Sequence, residues 1–133
     1  MSGQEISRLA GDPPSPWEER NGFSRVVRSG GLIVVAGTTS VSAEGVVIGE
    51  TPHEQAVEIL RKLEHELSRV DASLADVIQT RIYVVDISRS DEVGRAHAEA
   101  FGEARPAMAL VEVSGLVDPR MLVEIEAVAV AGP

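Results

Sequence analysis

The chain has no cysteine, which excludes disulfides, thiolate metal sites and cysteine nucleophiles. Aromatic residues make up only 3% of it, so Val, Ile, Leu and Ala must fill any core, and few flat side chains remain for bases to stack on. Positive charge is also scarce. Twelve Lys and Arg stand against 21 Asp and Glu, for a formal net charge of −9, which opposes binding to phosphate backbones. No apolar run approaches the roughly 20 residues that span a bilayer. No basic region followed by an apolar run opens the chain, so a signal peptide is not predicted. A cytoplasmic protein that binds neither nucleic acid nor membrane is the expectation. What is present is ordinary for a globular protein: 44% apolar and 25% charged residues in 133. One domain of this length buries about two-thirds of its unfolded surface.

Residues 1–20 are polar and carry Pro13, Pro14 and Pro16, and are predicted to be an extended arm; residues 21–133 are predicted to be the domain. Arg25-Val26-Val27-Arg28 and Leu32-Ile33-Val34-Val35-Ala36 are β-type runs around the hairpin signal Ser29-Gly30-Gly31. Val46-Val47-Ile48 is predicted as a short third strand. Thr51 can cap a helix, with Pro52 at its first position and Glu54 completing a capping box. Val57, Leu60, Leu63, Leu67 and Val70 form its apolar stripe, while Glu58, Arg61, Lys62, Glu66 and Arg69 are assigned to a solvated face. Strands are predicted at 77–85, 107–113 and 122–130, with a second helix at 90–101. The order βββαβαββ suggests an α+β domain, with one six-stranded sheet and both helices on one face.

The last strand sets Val123, Ile125, Ala127 and Ala129 on one side, and Leu122, Glu124, Glu126, Val128 and Val130 on the other. Both sides are apolar enough to demand cover, yet the chain holds no third layer. Subunit association through the second face is therefore expected.

Several segments, in order, carry a resemblance: Val35-Ala36-Gly37-Thr38, Gln55 early in the helix, Ala72-Ser73-Leu74-Ala75-Asp76-Val77, Tyr83-Val84-Val85-Asp86, Pro106-Ala107-Met108, Val111-Glu112-Val113 and Val123-Glu124-Ile125-Glu126-Ala127. Together they resemble the Rid (YjgF) family of reactive-intermediate deaminases. The resemblance implies a chorismate-mutase-like fold, a homotrimer around a central β-barrel, here lined by the face carrying Val128 and Val130, and small-molecule clefts between subunits. It also implies that Glu124 is the acid–base group. Family members that hydrolyse 2-imino acids read Pro-Ala-Arg where this chain has Met108, and that arginine holds the substrate carboxylate. A guanidinium forms two charge-assisted hydrogen bonds to a carboxylate, and a thioether forms none. The family's serine and tyrosine positions match Ala36 and Phe23. Phe23, Ala36, Met108, Arg81 and Tyr83 are therefore the candidate substrate-binding residues. Arg81 can instead be an interfacial ion-pair residue, and Glu124 and Glu126 can be structural.

No cofactor or metal is implied. His53, His65 and His97 lack ligand spacing, and Ser24, Thr38 and Thr39 have no base partner for a hydrolytic triad. Trp17 is read as an anchor for the arm, the alternative being that it packs over the cleft or a neighbouring subunit. The functional expectation is a trimer acting on a small imine, enamine or carbonyl compound but inefficient on 2-imino acids. The alternative is a non-catalytic, metabolite-binding or regulatory trimer. Ribonuclease or translation-inhibitor activity, also attached to parts of the family, is opposed by the charge and the aromatic content.

Overall fold

The computed structural model describes residues 5–132. Six strands form one sheet in the order β1-β2-β3-β6-β4-β5, antiparallel throughout except for the parallel β4–β5 pair. They are β1 (Ile6–Leu9), β2 (Val26–Ser29), β3 (Leu32–Thr38), β4 (Val77–Val84), β5 (Ala107–Glu112) and β6 (Val123–Val130). Three α-helices accompany them: α1 (Pro16–Asn21), α2 (Pro52–Ser68) and α3 (Ser90–Phe101).

Two expectations are corrected here. Residues 5–20 are not simply an extended arm, and residues 1–4 of that expectation lie outside the described residues. Ile6–Leu9 pairs with β2 as an edge strand, and Pro16–Asn21 is a short helix closed by Gly22 at φ 71°. Ser15-Pro16-Trp17-Glu18 repeats the pattern of Thr51-Pro52-His53-Glu54, so the same capping-box signal that starts α2 also starts α1. Conversely, Val46-Val47-Ile48 does not enter the sheet and contributes only an isolated bridge, Val41↔Val47. Both edges of β3 are already taken, by β2 and β6, and the free edge of β2 is taken by β1. No ladder position beside β2 or β3 remains for it.

The α2 capping box forms: Glu54 N–H donates to Thr51 Oγ1 at 3.1 Å, and Thr51 N–H donates to Glu54 Oε1 at 3.2 Å. Its inward face carries Ala56, Ile59, Leu60, Leu63 and Leu67, packed with Val93, Ala96 and Phe101 of α3 onto Ile33, Val35, Ile82, Val84, Ile125 and Ala127 of the sheet. Val57, expected on that stripe, is 46% exposed. Gln55 fastens the helix start to the sheet. Its amide donates to Gly49 O (3.1 Å) and Arg120 O (3.0 Å), and its carbonyl accepts from Leu122 N–H (2.8 Å).

The alternation in β6 is as the sequence dictates, with Val123, Ile125, Ala127 and Ala129 all buried. On the opposite face Leu32 and Val34 of β3 and Val130 of β6 remain 49%, 42% and 50% exposed. That face has no layer over it.

Candidate functional site

The main cavity, about 420 Å³, lies where β3 bulges away from β6 between Val35 and Thr38. Its walls come from three places: the 11–25 segment, the flank of α2 facing Lys62 and Glu66, and the loop that follows β3. Glu124 enters it from β6. The space for that side chain is provided by Gly37, where a β-carbon would overlap the Glu124 carboxylate. Burial raises the Glu124 pKa above the ordinary carboxylate value; nearby Arg25 lowers it in part, and Glu126 adds to the rise.

Arg25 ties the cavity together. Its guanidinium donates to Gly37 O (2.6 Å), Thr38 Oγ1 (3.2 Å) and Ser15 Oγ (3.4 Å), pairs with Glu18 at 3.4 Å, and stands 5.3 Å from the centre of the Phe23 ring. Glu18 is the true anchor of the N-terminal segment, accepting from Gly11 N–H (2.6 Å) and Ser15 N–H (2.7 Å). Burial alone would raise its pKa, but those two N–H donors, with Ser15 and Arg25, hold it below the usual range. Trp17 lines the cavity, the alternative to its reading as an anchor.

The polar flank of α2 is the largest correction. Glu66 is buried, bonded to Arg69 at 2.5 Å, and Lys62 donates to Thr39 O (2.6 Å) and Val41 O (2.9 Å). Lys62 and Glu66 belong to one wall of the cavity and not to a solvated face, whereas Arg61 is exposed as expected. The sequence carries a signal that the helical period hides: Lys62 is the only lysine in the chain. Desolvation, and secondarily Arg25, lower its pKa to about 8.

Of the sequence-derived site residues, Phe23 and Glu124 line this cavity. Ala36 precedes Gly37 on the bulge, its N–H donating to Arg25 O at 2.9 Å, just outside the walls. Tyr83 and Arg81 lie across from Glu124 and Glu126 on the uncovered sheet face, and the Tyr83 hydroxyl donates to Glu126. Met108 pairs with Thr80, whose side chain points to the helix side. Met108 and Glu124 thus leave opposite faces of the sheet, on strands separated by β4. His97 is buried against Thr80 Oγ1 at 2.8 Å, and burial lowers its pKa. Among the described residues, no cluster of three or more His, Asp or Glu is arranged to hold a metal ion, and no helix is long and apolar enough to cross a membrane.

This architecture has close counterparts. Residues 15–131 match the family model for Endoribonuclease L-PSP. The fold superposes with a TM-score of 0.86 on a Mycobacterium tuberculosis protein described as a member of the YjgF/YER057c/UK114 family; it is 46% identical, with 96% of this chain and 100% of that one covered. The chain belongs to the Rid (YjgF) family. Among its Rid relatives, the 3-aminoacrylate deaminase RutC of Acinetobacter baylyi is 31% identical over 128 residues, covering 95% of this chain and 97% of that protein. An uncharacterized Streptomyces coelicolor protein is 36% identical over 132 residues, covering 99% of this chain and 97% of its own.

Proposed function

We propose that this Rid-family chain assembles as a homotrimer around a β-barrel and acts on a small imine, enamine or carbonyl compound, with Glu124 as the acid–base group. One observation carries the proposal: a carboxyl group with a raised pKa stands in a cavity of metabolite size, beside a glycine that makes room for it. A carboxyl whose pKa is raised by burial can give a proton to a developing amine or alkoxide and take one from an attacking water. The likeness to a 3-aminoacrylate deaminase supports the enamine and imine class.

Phe23 serves as an apolar wall. Met108 projects from the sheet face opposite Glu124 within one chain, so the two can share a cleft only if Met108 comes from a neighbouring subunit. There its thioether offers nothing to a substrate carboxylate. Turnover of 2-iminopropionate is therefore low, and neutral or weakly charged substrates are preferred. Arg81 and Tyr83 belong in this arrangement to the barrel face.

Ammonia release from a panel of neutral enamines and imines, with 2-iminopropionate alongside, is the test. Glu124→Gln should lower turnover of the best substrate by roughly 100-fold or more. Unchanged turnover in that variant would leave a non-catalytic, ligand-binding trimer as the correct reading. Efficient hydrolysis of 2-iminopropionate would show that another cation, Arg25 or Lys62 foremost, holds the carboxylate.

A further inference from the structure

We propose that Lys62 is a carbonyl-capturing amine: its Nζ forms an imine with a small aldehyde or ketone that enters the cavity. Three observations support this. Lys62 is the only lysine of a chain that otherwise uses arginine for its basic side chains, and it sits on the cavity wall rather than in solvent. Its Nζ is fixed by two backbone carbonyls, Thr39 O at 2.6 Å and Val41 O at 2.9 Å. A neutral amine has two N–H bonds and one lone pair, so these two acceptors satisfy both donors and leave the lone pair as the one unassigned position on nitrogen. Both carbonyls also accept from the ammonium, so they fix the position of the nitrogen, and it is desolvation that favours the neutral amine.

The charged surroundings agree with this. Arg25 before β2 and Arg61 on α2 disfavour the ammonium, Glu58 and Glu66 on α2 favour it, and with desolvation added the pKa falls to about 8. His65, also on the wall, is turned toward Asp12 at 3.5 Å, and Glu124 faces the same cavity from β6. At neutral pH about one Lys62 in ten is then neutral, against fewer than one in a thousand for an ordinary lysine.

The step balances without an outside oxidant or reductant. The nitrogen lone pair attacks the carbonyl carbon, and the C=O π pair moves to oxygen, which takes a proton from water. The nitrogen gives up one proton to the resulting hydroxide, and the carbinolamine then loses water to leave C=N. Adding water reverses the sequence, so capture is reversible and the carbonyl compound is regenerated.

The inference rests on the cavity being the ligand site, and two readouts keep the two readings apart. The full-length protein is incubated with acetaldehyde and cyanoborohydride, and the alkylated peptides are mapped by mass spectrometry. The N-terminus is the other primary amine of the chain and serves as the internal reference. Alkylation should fall on Lys62, with a rate at pH 7 at least ten-fold above that of N-acetyl-lysine amide. The rate should rise to a plateau through a pH near 8, the value set by the depressed Lys62 group. Lys62→Arg should leave adduct at the N-terminus alone. Adduct confined to the N-terminus in the unmutated protein, or Lys62 labelling no faster than the free lysine, overturns the proposal whether or not the variants fold. Labelling of Lys62 with turnover indifferent to Glu124→Gln rejects the acid–base reading alone. Turnover dependent on Glu124 with no adduct at Lys62 rejects imine capture alone.

Discussion

Glu124 holds its proton more tightly in the folded chain because desolvation and Glu126 outweigh the attraction of Arg25. The unfolded chain releases that proton near 4.5 and the folded chain at a higher pH. Between those values the native state binds more protons, so its stability falls as pH rises through that window. Glu124→Gln removes the dependence. Its melting temperature relative to the unmutated protein should therefore increase from about pH 4 to about pH 7 in thermal scans; a difference that stays constant or shrinks would contradict the burial of this carboxyl. Gly37 gives a second test at the same scale. It does not occupy a positive φ, so alanine costs no backbone strain there, and the methyl meets only the movable end of Glu124. Gly37→Ala should cost about 1 kcal/mol or less of stability yet displace the carboxylate and depress turnover nearly as far as Glu124→Gln. Equal activity in the two backgrounds would show that the placement of the carboxylate does not matter.

At the scale of elements, the joint between α2 and β6 depends on one buried amide. Gln55→Leu keeps the volume but leaves Gly49 O, Arg120 O and Leu122 N–H without their partner. The loss should be about 2–4 kcal/mol, read as a lower urea midpoint with an unchanged slope. The elements also show where sequence patterns succeed. Thr51-Pro52-x-Glu54 announced α2 because capping is a local hydrogen-bond pattern written within four residues. Ser15-Pro16-x-Glu18 wrote the same message for α1, obscured by the neighbouring prolines. Val46-Val47-Ile48 has strand composition but no strand partner, since propensity cannot report that β1 from the chain start has already filled the adjacent edge.

For the whole molecule, the decisive property is the sheet face left uncovered, where Leu32, Val34 and Val130 stand with Val128. The trimer proposed above would bury it. Light scattering should give three times the 14.1 kDa chain mass, and Val34→Glu should shift the protein toward monomer by burying an unpaired charge. A monomer at every concentration would refute the assembly, and with it any cleft built from Met108 of one subunit and Glu124 of another.

The sequence by itself determined the helix and strand periods, the inward and outward sides of β6 and the family, and it named Phe23 and Glu124, which line the same cavity. Each of these is written in local spacing or in an ordered series of short motifs. Tertiary structure alone decided what stands opposite a given side chain. The period of α2 places Lys62 and Glu66 off the apolar stripe and says nothing of the loop and N-terminal segment that come from tens of residues away to cover them. Arg25 and Glu18 meet for the same reason: the turn after α1 brings back a chain that β1 has already anchored to the sheet. A charged residue off the core stripe faces water only when no other segment packs there, and that is settled by contacts between distant parts of the chain.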